Sequence, residues 1–330
     1  MKPLWLAFPL LALFLIAPYS GSAQIENSPI MQALSVSVRP EYPKPNEVVE
    51  ISIQSSALDL NAASIRWQVN GVTEREGIGE RRFSFVTGPL GSVSSVVVAI
   101  TPFDKPAFSR EFTFYPAEVD IVWEAYTYTP PFYKGKASFT EESVVRLSAL
   151  PRIINSNGEL VPASNLTYRW LVNDKVLSGS GYGKSSVGIQ GSRWDNEEIV
   201  QVEVTTRDGA IKTVGEITLR PEKPLVALYE ESPTLGTLWN RAIQGNFTLK
   251  NSEVSFLAVP YHFVSSQLER GTQFVWSING REVPNEGSGN LITLRNDSGS
   301  QGQTNVGLDV RQESNLSQFG EASFSIYYEN

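Results

Sequence analysis

Apolar and polar residues alternate with a period of two along most of this chain. Val49, Ile51 and Ile53 form one such run, and Val96, Val98 and Ile100, then Val200, Val202 and Val204, then Val306, Leu308 and Val310 form others. Successive side chains of an extended segment point to opposite faces, so each run predicts a half-buried strand. Clusters of Gly, Pro, Asn and Ser separate the runs and read as turns. No segment carries an apolar stripe at helical spacing, and Ala57 to Ala63 has room for one turn at most. The pattern predicts an all-β chain.

The pattern also repeats. Trp67, Trp170 and Trp276 lie in the phrases Ile65-Arg66-Trp67-Gln68-Val69-Asn70-Gly71, Tyr168-Arg169-Trp170-Leu171-Val172-Asn173-Asp174 and Phe274-Val275-Trp276-Ser277-Ile278-Asn279-Gly280. Each phrase is a strand with Trp on its inner face, ending in an Asn-Gly or Asn-Asp pair that accepts positive φ. In each copy a Gly-x-Gly turn follows, at Gly77 and Gly79, Gly179 and Gly181, and Gly287 and Gly289. The Val-rich strands come next, and then a third strand at Phe112 and Phe114, Ile217 and Leu219, and Phe324 and Ile326. Copies two and three share an upstream Ala-x-Pro, Ala149-Leu150-Pro151 and Ala258-Val259-Pro260. The copies are spaced by about a hundred residues, the length of a small domain, so the chain is a tandem array.

The expected division is a leader over 1–23, then modules over 33–116, 118–222 and 224–330, with Pro221-Glu222-Lys223-Pro224 as the second joint. Modules of this length bury roughly 60 to 70% of their unfolded surface, enough for a core without metal or disulfide. Trp67, Trp170 and Trp276 are the expected centres of those cores. Many short alternating strands with frequent turns predict antiparallel sandwiches. The layout of strand, x-Trp-x-Val-Asn-Gly, turn and paired Val strand resembles bacterial immunoglobulin-like and PKD-type domains of the cell envelope. That resemblance covers nearly the whole chain after the leader. It implies three tandem immunoglobulin-like sandwiches in a spacer, adhesion or assembly role, and no catalytic residues.

The leader changes the expected location. Lys2 precedes the apolar run Leu4 to Ala17, and Gly21-Ser22-Ala23 offers a small-residue exit before Gln24. This is the layout of an export signal cleaved after Ala23; left uncleaved it would be a membrane anchor, interrupted by Pro9 and Pro18. The expected location is therefore periplasmic, cell-surface or extracellular. There are no cysteines, which favours a bacterial exported protein over a disulfide-stapled eukaryotic one. A net charge of −8 and a pI near 5.0 leave no basic stripe for phosphate, so nucleic acid is not an expected partner.

Candidate chemistry is sparse. His262 is the single histidine, so neither a zinc site of conventional type nor a Cys-His pair can be assembled around it. Glu124 and Glu230 occupy matching positions in modules two and three, whereas a glycosidase pair shares one cleft. Asp195-Asn196-Glu197-Glu198 and Asn296-Asp297 are the places where a loop could hold calcium, but neither follows a defined ligand spacing. The Gly-x-Gly turns precede no helix and cradle no phosphate. No catalytic, cofactor or metal residue is expected, and the chain reads as a non-enzyme.

One segment departs from the repeat: Trp123-Glu124-Ala125-Tyr126-Thr127-Tyr128-Thr129-Pro130-Pro131-Phe132-Tyr133-Lys134-Gly135-Lys136. Its rings around a Pro-Pro pair have the composition of a protein interface. Its counterpart in module three ends at Trp239. Tyr126, Tyr128, Pro130, Pro131, Phe132, Tyr133 and Trp239 are the expected contact surface, for an envelope or surface protein or for a glycan. The alternative is that these loops pack on the preceding module. A carbohydrate-binding protein would align these rings or Trp194 on one exposed face.

Overall fold

A computed structural model describes residues 34–284, 289–297 and 301–328. The expected leader, Gly287 and the last two residues lie outside them. The chain is all-β, with only two short 3-10 turns among the described residues. Its described residues form two compact units, one with residues 34–38, Glu50–Phe83 and Val97–Glu111, the other with Arg39–Val49, Ser84–Val96 and the described residues from Phe112 on.

Seven strands carry the first repeat: β1 (Leu34–Arg39), β2 (Val48–Ser55), β3 (Ser64–Val69), β4 (Val72–Ile78), β5 (Arg82–Val86), β6 (Ser94–Thr101) and β7 (Phe108–Phe114). They form the sheets β1-β2-β5 and β4-β3-β6-β7. The second repeat has β8 (Glu118–Ala125), β9 (Val144–Arg152), β10 (Leu166–Val172), β11 (Lys175–Val176), β12 (Gly181–Tyr182), β13 (Ser186–Gln190), β14 (Glu198–Thr206) and β15 (Lys212–Leu219). Its sheets are β13-β9-β8 and β11-β10-β14-β15, with β12 also on β10. The third has β16 (Leu225–Ser232), β17 (Gly236–Ile243), β18 (Gly245–Leu249), β19 (Glu253–Tyr261), β20 (Thr272–Ile278), β21 (Arg281–Val283), β22 (Leu291–Arg295), β23 (Gly302–Gln312) and β24 (Phe319–Tyr328). Its sheets are β17-β16-β19-β22 and β18-β24-β23-β20-β21. Within the second and third repeats the paired strands run antiparallel, apart from β18, which runs parallel to β24.

The repeated phrases translate directly into register. Trp170 opposes Val202 and Trp276 opposes Leu308, and the third strand of each copy lies on the far side of the Val strand. Asn70 and Gly71, Asn173 and Asp174, and Asn279 and Gly280 all have positive φ, closing two-residue hairpins of the primed kind. The Asn173 and Asn279 side chains also accept the backbone N–H of Ile199 and Asn305, pinning each turn to the neighbouring strand.

All three repeat tryptophans are fully buried. Each indole N–H donates to a backbone carbonyl in the turn that follows its hairpin: Glu80 at 2.8 Å, Lys184 at 2.9 Å and Gly289 at 2.8 Å. The next carbonyl along, of Arg81, Ser185 or Asn290, accepts the backbone N–H of Ile53, Ala149 or Ala258 in the facing sheet. Adjacent peptides of one turn thereby bond to both sheets. Positive-φ glycines shape the approach, Gly79 in the first copy and Gly183 in the second. Gly183 lies two residues past the Gly-x-Gly of the sequence, and Gly181 enters the short strand β12 instead. Around these anchors Trp67 stacks on Phe83, with centroids 5.2 Å apart. Separate cores collect Val145, Leu147, Tyr168 and Val202 in the second repeat and Phe256, Phe263, Leu308 and Phe324 in the third.

Two stability changes are expected. Trp170→Ala costs about 3 to 5 kcal/mol, from lost packing and an orphaned Lys184 carbonyl. Gly79→Ala destabilises its module too, because φ is +74° and the added Cβ would sit 3.2 Å from the Asn61 carbonyl oxygen. Chemical denaturation followed by intrinsic fluorescence reads both.

Candidate functional site

The departure from the repeat occurs just after β8. In the third repeat the residues after β16 turn back as β17 and β18. In the second, residues 126–143 leave the sheet and bond to residues 262–265, just past the end of β19. Tyr128 N–H donates to the Phe263 carbonyl at 2.8 Å, and His262 N–H donates back to the Tyr128 carbonyl at 2.7 Å. Thr127 bridges Val264 antiparallel, and Ser265 N–H donates to the Tyr126 carbonyl at 3.3 Å. This is a short strand pairing between modules, with β-prone Thr and Tyr supplying the extended backbone.

Side chains complete the joint. Ser138 N–H donates to His262 Nδ1 at 3.3 Å, and Thr140 Oγ1 donates to the His262 carbonyl at 3.2 Å. Gln318, buried, accepts the Val264 N–H on its oxygen and donates from its nitrogen to Thr140 Oγ1 and the Glu141 carbonyl. Glu142 accepts the Ser317 N–H at 2.8 Å. The linker joins in through Glu222 N–H, which donates to the Phe139 carbonyl at 2.7 Å. His262 is a buried residue at φ +62°. Burial holds its pKa below the usual imidazole value, opposed in part by the Glu222 carboxylate.

The expected contact residues divide here. Pro130 is buried and Tyr128 half-buried in the joint, while Tyr133 meets Tyr261 and His262 in T-shaped contacts near 5.8 and 5.7 Å. Tyr126 is exposed, and Phe132 is 87% exposed at φ +67°. Trp239, on β17, tilts against Tyr229, whose hydroxyl bonds that of Tyr261 at 2.7 Å. Burial and then the Tyr229 bond push the Tyr261 pKa well above the usual phenol range. The segment bonds to the following module through residues 262–265. Tyr128, Pro131 and Trp239 converge on one groove of about 390 Å³, floored by Leu257, Pro260 and Phe274. Glu269, Thr272 and Asn290 supply its polar atoms.

Other candidates resolve locally. Glu198 is buried, its two oxygens accepting from Ser192 N–H and Asn173 Nδ2, and Glu197 pairs with Arg220. These bonds shape the loop that presents Trp194, 82% exposed, beside the Arg193 guanidinium. Glu124 and Glu230 lie on β8 and β16 of separate modules, Glu124 exposed and Glu230 half-buried. No group of three potential ligands occurs among the described residues. The sequence pointed to Glu222 in the joint through Pro221-Glu222-Lys223-Pro224, but not to His262, Thr140 or Gln318. The available signal was polarity out of step with the repeat: aligned on Ala-x-Pro, His262 stands where module two has the buried Ile153.

No protein-family model and no characterised protein matches the sequence. Among solved structures the chain is similar to the three N-terminal domains of the highly immunogenic outer capsid protein of bacteriophage RB49, at 10% identity and a TM-score of 0.27, covering 90% of this chain and 99% of that one. It is also similar to the central fibronectin-III array of RIM-binding protein, at 13% identity and a TM-score of 0.31, covering 90% and 96%. A bacterial ice-binding adhesin is similar at 9% identity and a TM-score of 0.24, covering 90% and 96%. These neighbours are tandem immunoglobulin-like or fibronectin-III-like proteins. The likeness carries no activity, substrate or partner over to this chain.

Gln318→Ala is expected to leave the buried Val264 N–H without its acceptor, a loss of about 1 to 3 kcal/mol confined to the joint. Hydrogen exchange checks it: protection of the Val264 amide falls by about tenfold to a hundredfold, while amides of β14 keep theirs.

Proposed function

We propose that this chain is an exported, non-enzymatic tandem immunoglobulin-like protein with a structural, adhesion or assembly role at the bacterial cell envelope. The observation that carries this reading is the joint between modules two and three, where main-chain and buried side-chain bonds couple neighbouring modules. Such coupling suits a protein that holds a surface at a distance or in an orientation. Phe132 and Tyr126 remain exposed beside the joint and supply the contact surface for an envelope or surface partner. The leader and the absence of cysteine accord with export. Fractionation of producing cells tests this directly: the protein is expected in the periplasm, at the surface or in the medium, and retention in the cytoplasm overturns the reading.

A second reading, carbohydrate binding, is favoured by the groove. Tyr128, Trp239 and Phe274 offer ring surface there, and Glu269 and Asn290 offer hydrogen-bonding groups. Glycan-array binding that Trp239→Ala weakens by about thirtyfold, the effect of losing a hot-spot aromatic, would select it. An array without hits leaves the first reading in place.

A further inference from the structure

The chain's one imidazole sits at the bond between two modules. His262 is 8% exposed, and its Nδ1 accepts the Ser138 N–H, so its own ring proton resides on Nε2. Its backbone is held from the same side: its N–H donates to Tyr128 and its carbonyl accepts from Thr140. The neighbouring bonds of Thr127 with Val264 and of Ser265 with Tyr126 belong to the same short ladder. We propose that His262 is an acid-sensitive latch: protonating Nδ1 sets a second donor against the Ser138 N–H and releases segment 126–143 from residues 261–265.

The surroundings offer the imidazolium little compensation. Tyr133 from the segment and Tyr261 from its own strand face the ring, and the raised pKa of Tyr261 keeps that phenol neutral. The Glu142 carboxylate is engaged by Ser317 N–H, and Glu141 meets module three through its carbonyl. Glu222 on the linker favours the proton, but burial outweighs it and the pKa lies below 6.5. A base whose pKa is lowered in the closed joint leaves the joint fully stable above the unfolded value. Stability is then lost as pH falls below 6.5 and continues to fall until the closed-state pKa is reached. Module two has no such device at the matching position, where Ile153 is buried with the core.

The test uses the whole chain. Exchange of the Tyr128, Ser138 and His262 amides, corrected for intrinsic rates, is compared at about pH 7.5 and about pH 5 beside an NMR titration of the single imidazole. Protection is expected to fall at least about threefold, with a ceiling of about thirtyfold set by the unfolded imidazole pKa, and the imidazole to titrate below 6.5. His262→Asn keeps an acceptor near the place of Nδ1, tolerates positive φ and does not titrate. Its protection is expected to be independent of pH over this range. Equal acid loss in both proteins, unchanged protection in the parent chain, or an imidazole titrating at or above 6.5 overturns the proposal. If His262→Asn does not fold, the parent titration and exchange decide.

Discussion

Two consecutive carbonyls in one turn hold each module of this protein together. The first accepts the indole N–H of the repeat tryptophan, and the second accepts a backbone N–H from the opposite sheet. A fully buried indole without an acceptor would forfeit much of what its burial gains, because a desolvated donor left unpaired costs about 1 to 3 kcal/mol. The turn therefore has to pass close to the tryptophan, and passing there it also reaches the second sheet. Sheet spacing, tryptophan rotamer and turn path are consequences of one another. The primed Asn turns act in the same direction, closing the hairpin and tying it sideways through the Asn amide.

The joints between modules use different chemistry from the cores. Within the second compact unit, the approach to module two is made by Ile154 against Gly91, the Lys212 ammonium over the Tyr42 ring and the Ala117 N–H on the Pro43 carbonyl. The approach to module three is a strand pairing closed by Thr140, His262 and Gln318. Buried polar groups add little net stability when satisfied and cost much when they are not, so they penalise alternative packings more than they strengthen the native one. A joint built this way favours one set of contacts. It also has a chemical vulnerability that a purely apolar joint lacks, since the acceptor at its centre is titratable.

The aromatic residues serve two purposes that composition does not separate. Tyr128 and Pro130 are spent on the joint, Tyr133 touches Tyr261 and His262 with 40% of its surface still exposed, and Trp239 of β17 tilts against Tyr229 of β16. Tyr126, Phe132 and Trp194 remain in solvent, Trp194 on a loop shaped by Ser192 and the buried Glu198. Large rings held exposed by an ordered backbone are the positions from which contact with another molecule is most economically made. That is the physical basis for the proposal that this chain makes contacts through these rings.

Strand alternation and the tryptophan phrase determined the all-β architecture, the three repeats, the buried Trp67, Trp170 and Trp276, and the primed turns after them. These properties are local: a period of two, a φ preference, a large apolar ring. Gly183 was less legible, because the repeat spacing slips by a residue and only the bond to Leu166 shows which glycine takes the turn. The place of the joint was legible in Pro221-Glu222-Lys223-Pro224, but the residues that pair across it were not. Tyr128 and His262, or Thr140 and Gln318, are far apart in sequence, and nothing local distinguishes a hydrogen bond to a neighbouring module from one to water. The aromatic segment was visible as an anomaly, but which of its rings pack and which face solvent depended on how its backbone pairs with residues 262–265. Only the tertiary structure decided that, because satisfying buried polar groups is a condition on the whole fold and not on any stretch of it.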